Sequence, residues 1–166
     1  MNIRILQESD AAKYQDIRLN GLLTNPEAFG STYDRESEFS LETVRERIQP
    51  SEGKFVLGAF QADQLAGIVT FVRENSLKTS HKGNVFGMYV RPEARGKGIA
   101  RQLLLELIRI TKNNEGLEQI NLSVVSSNEA AKKLYLSLGF EVYGVERNAL
   151  KHNGQYFDED LMVFRL

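Results

Sequence analysis

The chain has 166 residues, with 21 basic and 22 acidic side chains, a formal net charge of −1, and neither cysteine nor tryptophan. This length predicts a single domain over residues 1–166, and the absence of cysteine excludes disulfides, thiolate zinc sites and a thiol nucleophile. The balanced charge disfavours a protein that coats nucleic acid, because neutralising phosphates requires a basic excess.

The N-terminal part predicts one strand and one helix. Apolar and polar residues alternate over residues 3–5, which is typical of a short strand. A helix capped by Ser9 or Asp10 should then run to about Leu23. Residues 24–39, which follow, have no clean apolar period.

A second helix and a hairpin come next. Ser40 is a suitable cap for a short helix that Pro50 ends. Two strand-like runs, residues 54–61 and 65–72, are joined by a short polar tip and predict a hairpin. The polar residues 74–83 indicate a loop.

The second half alternates strands with helices. We expect a strand over 84–90, an amphipathic helix over 99–110 and a strand over 120–125. Asn128 is a suitable cap for the next helix, and Gly139 is a suitable residue to end it. A strand–helix–strand unit of this kind predicts one parallel pair.

The C-terminal segment predicts a last hairpin. Strands over 140–146 and 156–164 flank Asn153-Gly154, a strong two-residue turn signal. Hairpins and a parallel pair in the same chain predict a mixed sheet, mostly antiparallel. The predicted fold class is therefore α/β (α+β), with helices flanking the sheet.

The turn after the strand 84–90 combines positive charge with glycine. Residues 91–101 hold four cations and one acid, and Gly96 and Gly98 stand where the following helix begins. Glycine lets backbone amides approach a ligand, and a helix start carries partial positive charge, so the turn predicts a cradle for phosphate or pyrophosphate. The alternative interpretation is a glycine turn with solvated charges. A P-loop motif is absent, and a dinucleotide-binding motif would need glycine or alanine where Arg101 stands.

Two further residues gain meaning from their order after this turn. Alone, Tyr135 fits the apolar stripe of a helix and Asn128 is a helix cap. Together they follow R-G-K-G-I-A (95–100) as N-E-A-A-K-K-L-Y-L-S-L-G-F (128–140). The chain in this respect resembles the GNAT superfamily of acetyl-CoA-dependent N-acetyltransferases, with its motifs [QR]-x-x-G-x-[GA] and N-x-x-A-x-x-[LF]-Y-x-x-x-G-F. Residues 84–140 carry nearly all of the resemblance.

The resemblance implies a three-layer GNAT-like fold and a set of roles. The strands 84–90 and 120–125 would splay apart to admit the pantetheine arm of the cosubstrate, acetyl-CoA. Backbone groups of one strand would pair with the arm, and amides of the glycine turn would hold the pyrophosphate. Asn128 would hydrogen-bond the arm, and Tyr135 would lie near the thioester sulfur as the catalytic residue. The implied cofactor-binding residues are Met88, Val90, Arg95, Gly96, Lys97, Gly98, Ile99, Ala100 and Asn128.

The implied reaction moves acetyl from acetyl-CoA to the primary amine of a small molecule or peptide. Without cysteine no acyl-cysteine intermediate can form, which favours direct attack in a ternary complex over the alternative, transfer through an ester on a hydroxyl group. Proton transfer from a phenol near pKa 10 to a thiolate near 8.5 is uphill by about 2 kcal/mol. A hydrogen bond to the developing thiolate is the alternative to full transfer.

The general base is where the chain departs from the family. Many relatives place a glutamate on the strand before the glycine turn, but residues 84–90 contain no carboxylate. His81 lies just upstream and is of a type that titrates near neutral pH, although a surface role is the alternative. The loop 27–38 holds four acids and one arginine, which would attract a cationic amine or would simply be solvated. A water chain to backbone carbonyls is the other possibility.

Two alternatives of other classes stay open. A non-catalytic acyl-CoA sensor or partner-binding module would keep the cradle and lack a base. Nucleic-acid binding through residues 91–101 is disfavoured, because one short patch gives few phosphate contacts. No metal site is predicted, and a homodimer is compatible with the resemblance. Since there is neither a signal-peptide pattern nor an apolar run of membrane-spanning length, we expect a cytoplasmic protein with no membrane partner.

Overall fold

A computed structural model describes all 166 residues as one seven-stranded sheet with helices on both faces. The strands are β1 Asn2–Ile5, β2 Lys54–Gln61, β3 Gln64–Arg73, β4 Lys82–Val90, β5 Gln119–Val125, β6 Glu141–His152 and β7 Gln155–Arg165. The helices are α1 Ala11–Thr24, α2 Tyr33–Ser37, α3 Leu41–Ile48, α4 Ile99–Thr111 and α5 Glu129–Leu138, with 3₁₀ turns at Glu8–Asp10, Pro26–Ala28 and Pro92–Ala94. None of these helices has both the length and the hydropathy that a bilayer crossing requires.

The sheet is mixed, which confirms the predicted class. Its strand order is β1-β2-β3-β4-β5-β7-β6. Only β4 and β5 are parallel, because α4 carries the chain back over the sheet between them, and all other neighbours are antiparallel.

The two central strands separate at their carboxyl ends. β4 and β5 pair from Lys82 opposite Gln119 only as far as Asn84 opposite Asn121. Beyond that point β4 stays paired with β3 and β5 with β7. The middle of the sheet is therefore open between the carboxyl halves of β4 and β5, as the predicted splay requires.

A bulge in β4 lies beside this opening. Two residues of β4, Gly87 and Met88, face the single residue Val69 of β3. Gly87 adopts φ +60°, a conformation that favours glycine. The extra residue reverses the alternation of side chains, so Val85 packs beneath α4 whereas Tyr89 packs beneath α1. One strand thus contributes to both faces of the sheet.

Each face of the sheet has its own hydrophobic core. The larger core packs α4 and α5 on one face, with Leu103, Leu104 and Leu107 fully buried. The smaller core packs α1 and α3 on the other face, around Ile17 and Val44. Burying an aliphatic side chain of this size contributes about 1.5–3 kcal/mol to folding, so both layers are firmly attached.

The predicted caps and turns are confirmed at several element ends. The Ser40 hydroxyl accepts a hydrogen bond from the Thr43 amide at the start of α3. Gly139 ends α5 with φ +103°, in the left-handed region. Asn153 and Gly154 both have positive φ, as a two-residue hairpin turn requires.

The structure corrects the predictions in several stretches. The strand predicted over 140–146 is β6, which stays paired with β7 as far as His152. The irregular segment 24–39 contains a 3₁₀ turn and the short helix α2, which begins where the Thr32 hydroxyl accepts a hydrogen bond from the Arg35 amide. The predicted loop 74–83 ends early, because residues 82 and 83 are already paired with β5. The 3₁₀ turn and α2 are too short to produce a recognisable apolar period. The pairing of residues 82 and 83 depends on β5, which is distant in sequence.

Candidate active site

A cavity of about 820 Å³ occupies the opening between β4 and β5. One wall comes from the glycine turn, α4 and α5, and the other from α1 and the segment that follows it. The cavity therefore has walls on both faces of the sheet. The predicted site residues that line it are Met88, Val90, Arg95, Gly96, Gly98, Ile99, Ala100, Asn128 and Tyr135. Lys97 does not line it, and its Nζ donates to the Glu93 carbonyl.

The glycine turn presents free amides to the cavity. Gly96 and Gly98 have φ +75° and +76°, and a Cβ on either would meet no atom within 4 Å. The amides from Gly96 to Arg101 donate to no backbone carbonyl. Since α4 begins here, its partial positive charge adds to these donors. The turn has the chemistry and the space to hold a pyrophosphate.

Arg95 differs from its neighbours in the turn. Its amide already donates to the Pro92 carbonyl at 3.2 Å, so the free donors begin at Gly96. Its guanidinium donates to the Val90 carbonyl at 3.0 Å and to Asn25 Oδ1 at 2.9 Å. Arg95 thus ties the turn to β4 and to the end of α1, and its amide is not available to an anion in this structure.

The free edge of β4 is the second element of this wall. Beyond Asn84 the edge that faces β5 has no strand partner, and it includes Met88 and Val90. An unpaired strand edge can bind an extended, amide-bearing ligand as an added strand. The side of β4 that borders the opening is therefore suited to a pantetheine arm.

Asn128 has two functions available to one side chain. Its Oδ1 accepts a hydrogen bond from the Ala131 amide at 3.2 Å and so caps α5. Its Nδ2 has no partner in the protein, and the residue lines the cavity. The structural and the binding interpretation of Asn128 are therefore compatible.

Tyr135 lies in the wall formed by α5 with 7% of its surface exposed. Its ring meets Phe140 edge-on at 5.8 Å between centroids, and its hydroxyl has no hydrogen-bond partner in the protein. Burial raises the pKa of Tyr135 to about 12. Proton transfer to a thiolate near 8.5 is then uphill by about 5 kcal/mol, which favours a donated hydrogen bond over full transfer.

The opposite wall contains an arginine that no sequence motif indicated. Arg18 on α1 donates through Nε and Nη2 to the two carboxylate oxygens of Glu36, at 3.0 and 2.8 Å. Glu36 is fully buried and also pairs with Arg47. Burial raises the pKa of Glu36, but hydrogen bonds from Arg18, Ser31 and Arg47 outweigh it and bring the pKa to about 2.

This pairing corrects the interpretation of the acidic loop 27–38. One of its four acids, Glu36, is enclosed between two arginines and cannot attract an amine. Of the others, only Glu27 lines the cavity. Arg18 and Glu36 are 18 residues apart, in different helices, so no sequence pattern indicated that they form a pair.

The structure places His81 away from the cavity. His81 precedes the paired start of β4, at the end of the sheet away from the opening. The bulge at Gly87 lies six residues further along, roughly 20 Å at about 3.3 Å per residue. His81 does not line the cavity.

The carboxylate of Glu159, on β7, lies near the opening between β4 and β5. Glu159 pairs in the sheet with Val125, the last residue of β5, and lines the cavity. Its neighbour Asp160 bonds to Ser126 and to Lys132 of α5. Because side chains alternate along a strand, Glu159 faces the α1 side. Glu159 stands between two other acids, Asp158 and Asp160, and successive side chains point to opposite faces of the sheet. The sequence alone therefore does not show which of the three faces the cavity.

Comparisons with known proteins agree with this architecture. A family model described as an acetyltransferase (GNAT) domain matches residues 3–161. The L-amino acid N-acetyltransferase of Escherichia coli is 26% identical over 159 residues, which cover 96% of either protein. The mycothiol acetyltransferase of Rothia mucilaginosa is 28% identical over 160 residues, and the match covers 88% of this chain but 43% of that protein.

A solved structure shows the same fold. A putative acetyltransferase from Salmonella typhimurium, determined with acetyl-CoA, matches with a TM-score of 0.81 at 24% identity, over 99% of this chain and 93% of that one. The free amides of the glycine turn are suited to a pyrophosphate, and the open edge of β4 is suited to an extended ligand that carries amides. The chain belongs to the GNAT family of acetyl-CoA-dependent N-acetyltransferases.

Proposed function

We propose that this acetyltransferase acts on the primary amine of a small molecule or peptide, by direct attack in a ternary complex. The observation that carries the proposal is the opening between β4 and β5, which gives one cavity a wall on each face of the sheet. The cosubstrate and the acceptor can then approach one another from opposite faces. The names of the two relatives refer to L-amino acids and to mycothiol, which supports a small acceptor.

The wall with the glycine turn would hold the cosubstrate. Amides from Gly96 to Ala100 would bind the pyrophosphate, and the edge of β4 at Met88 and Val90 would pair with the pantetheine amides. The Nδ2 group of Asn128 would donate to the arm. The thioester supplies the acetyl group: the amine nitrogen bonds to its carbonyl carbon while the carbon–sulfur bond breaks and its electron pair leaves with sulfur. The proton that the nitrogen loses as the amide forms would neutralise the departing thiolate.

Tyr135 would donate a hydrogen bond to the leaving sulfur, and a carboxylate would accept a proton from the amine. The Tyr135 hydroxyl would donate a hydrogen bond where negative charge develops on sulfur. An amine near pKa 10 must lose a proton to become nucleophilic. We assign this proton to Glu159, directly or through one water, because Glu159 is fixed on a strand beside the opening and has no ion-pair partner. Glu27, in the 3₁₀ turn Pro26–Ala28, also lines the cavity and is the second candidate.

Matched substitutions test the base. Glu159→Gln should lower kcat by about 100-fold with little change in the Kd for acetyl-CoA, and activity should recover as the pH approaches the pKa of the amine. Glu146→Gln is the control, because Glu146 faces Glu159 across β6 and β7 but does not line the cavity. A large loss in Glu27→Gln together with an unchanged Glu159→Gln would move the assignment to Glu27.

The proposed reaction itself has a direct assay. The pure protein is mixed with acetyl-CoA and a panel of amines, amino acids, peptides and aminoglycosides, and release of the free thiol is followed. We expect turnover with at least one small amine. Tight binding of acetyl-CoA without turnover on any member would instead favour the non-catalytic acyl-CoA sensor, and no binding by calorimetry would overturn both.

We propose that residues 1–166 act as one catalytic domain in the cytoplasm, with acetyl-CoA and an amine as partners and neither nucleic acid nor membrane. A homodimer is supported by the edge strand β6, where Val142, Tyr143 and Val145 are exposed. Sedimentation velocity tests the assembly, and a monomer at assay concentration would contradict it.

A further inference from the structure

Arg18, in the cavity wall formed by α1 and the segment that follows it, has one guanidinium nitrogen without a hydrogen-bond partner. The Arg18 side chain is 8% exposed, and its Nε and Nη2 are both engaged by Glu36. Its Nη1 makes no hydrogen bond in the protein and lies against the bulge, where a Cβ on Gly87 would be 3.5 Å away. Both Arg18 and Gly87 line the cavity. A buried guanidinium therefore directs a free donor into the site.

The position of this guanidinium is fixed from several sides. The Phe29 ring stacks on it at 4.9 Å from the guanidinium carbon to the ring centroid. Its partner Glu36 is held in turn by Arg47, which does not line the cavity. A planar donor held in this way loses little freedom when it binds a ligand. Arg18 is thus preorganised for binding.

The charge of the cluster points to the sign of the ligand. Glu36 contributes one negative charge, and Arg18 and Arg47 contribute two positive charges. The excess positive charge faces the cavity only through Arg18, because Arg47 lies outside it. The Arg18 Nη1 is open to the cavity, and an anion placed there would accept a charge-assisted hydrogen bond from it.

The same side of the cavity also carries negative charge. Glu159 and Glu27 line it, and neither forms an ion pair or a side-chain hydrogen bond within the protein. A site with one free cationic donor and two free carboxylates is complementary to a molecule that bears both an amine and an anion. A diamine or a simple alkylamine would leave the Arg18 donor unfilled.

We propose that Arg18 binds a carboxylate of the acceptor, so that the substrate is a small molecule carrying both a primary amine and a carboxylate. The inference rests on the proposed function and narrows its substrate class. The acceptor carboxylate takes no part in bond making in the proposed reaction. It fixes the orientation of the amine, and Arg18 is a positioning residue.

Matched pairs of acceptors test this without any variant. The probes are L-amino acids, each compared with its decarboxylated amine and with its methyl ester. The wild-type protein should favour the carboxylate-bearing member of the best pair by about 100-fold in kcat/KM, since hydrogen bonds to charged groups discriminate by that order. Equal kcat/KM within the pairs would overturn the proposal.

Substitution of Arg18 separates binding from architecture. Arg18→Gln should lower kcat/KM for the amino acid by about 100-fold and leave its decarboxylated amine within threefold, so the preference disappears. Arg18→Lys, which keeps the charge beside Glu36, should retain part of the preference and guards against a variant that does not fold. Arg47→Gln is the matched control, because it perturbs Glu36 from outside the cavity and should keep the full preference.

Two further outcomes are decisive. A uniform loss on both members of each pair in Arg18→Gln, or loss of preference in Arg47→Gln, would show a merely structural role and overturn the proposal. Calorimetry supplies a readout apart from turnover: the N-acetyl amino acid should bind wild-type protein at least tenfold more tightly than it binds Arg18→Gln. Turnover confined to carboxylate-free amines would overturn this inference alone, whereas acetyl-CoA binding with no turnover on any amine would overturn the proposed function too.

Discussion

The two walls of the cavity are built from different parts of the chain. The wall under α4 and α5 relies on backbone amides from one contiguous turn, Gly96 to Arg101. The wall under α1 relies on side chains from distant segments, chiefly Arg18, Glu27 and Glu159. A backbone site demands glycine and a helix start at fixed spacing, so it leaves a motif. A side-chain site requires only that the fold brings residues from distant segments together. Its residues can therefore be substituted, and its binding preference changed, while the first wall stays the same.

The sharpest test of the backbone wall is a charge placed within it. Gly98→Glu should abolish acetyl-CoA binding, because its side chain would enter the space where the pyrophosphate is proposed to lie. Calorimetry measures the loss, which we expect to exceed 100-fold in Kd. Gly154→Glu is the control: Gly154 has φ +74°, close to the +76° of Gly98, and is equally open, but it lies in the last hairpin. Equal affinity in the two variants would refute the placement.

The side-chain wall should be sensitive to acid. The pKa of Glu36 falls from its usual 4.5 to about 2 in the folded chain, so between these values the unfolded chain takes up the proton first. The free energy of unfolding should therefore fall as the pH drops from about 4.5 towards 2, by about 3 kcal/mol in full. Urea unfolding between pH 7 and pH 3 measures this.

Two variants isolate the contribution of Glu36. Glu36→Gln should be less stable at pH 7 and should lose the part of the acid dependence that Glu36 contributes, whereas the part from Asp10 and Asp160, whose pKa values are lowered by their own partners, should remain. Glu106→Gln should retain that dependence, because the Glu106–Arg109 pair lies on the surface of α4 and contributes little. The same acid dependence in wild type and Glu36→Gln would contradict the buried-pair account.

Tyr135 tests whether the first wall also takes part in chemistry. Tyr135→Phe should lower kcat by roughly 100-fold, the order of one hydrogen-bond donor lost at a developing charge, with little change in acetyl-CoA affinity. Steady-state kinetics and calorimetry together measure the split. Tyr143→Phe, on the exposed face of β6, should behave as wild type. An unaltered kcat would make Tyr135 a core residue only.

The smallest effect should come from Asn128, where capping and binding share one side chain. Asn128→Ala should cost about 1 kcal/mol of unfolding free energy through the lost cap and should also weaken acetyl-CoA binding several-fold. Asn128→Ser keeps a capping oxygen, so it should restore stability without restoring affinity. Thermal melts and calorimetry separate the two, and recovery of both properties in Asn128→Ser would assign Asn128 to capping alone.

The fold and the first wall could be predicted because their determinants are local. Ser40, Asn128 and Gly139 mark helix ends through bonds within one turn, and Asn153-Gly154 sets a hairpin by its own dihedral angles. The parallel pair followed from the spacing of strand, helix and strand. These signals need no knowledge of distant residues.

The second wall could not be predicted, because its determinants are tertiary. Arg18 lies on a helix where it resembles any solvated arginine, and only the fold brings Glu36 to it. Glu159 is one of several alternating acids, and its face depends on which strand β7 joins. Gly87 did carry a usable signal, since an isolated glycine inside a strand often marks a bulge.

The bulge at Gly87 reverses the face of the sheet to which successive side chains of β4 point, and deletion of one residue would undo this reversal. Removing this one residue would restore simple alternation, so Tyr89 would turn toward α4 and Val90 toward α1. Both walls would then be lost together, although neither the glycine turn nor Arg18 had changed. Insertions within residues 26–39 would alter the wall under α1 and leave the bond from Arg95 to Asn25 in place. We therefore expect new acceptor specificities to be reachable through that segment, with the length of β4 held constant.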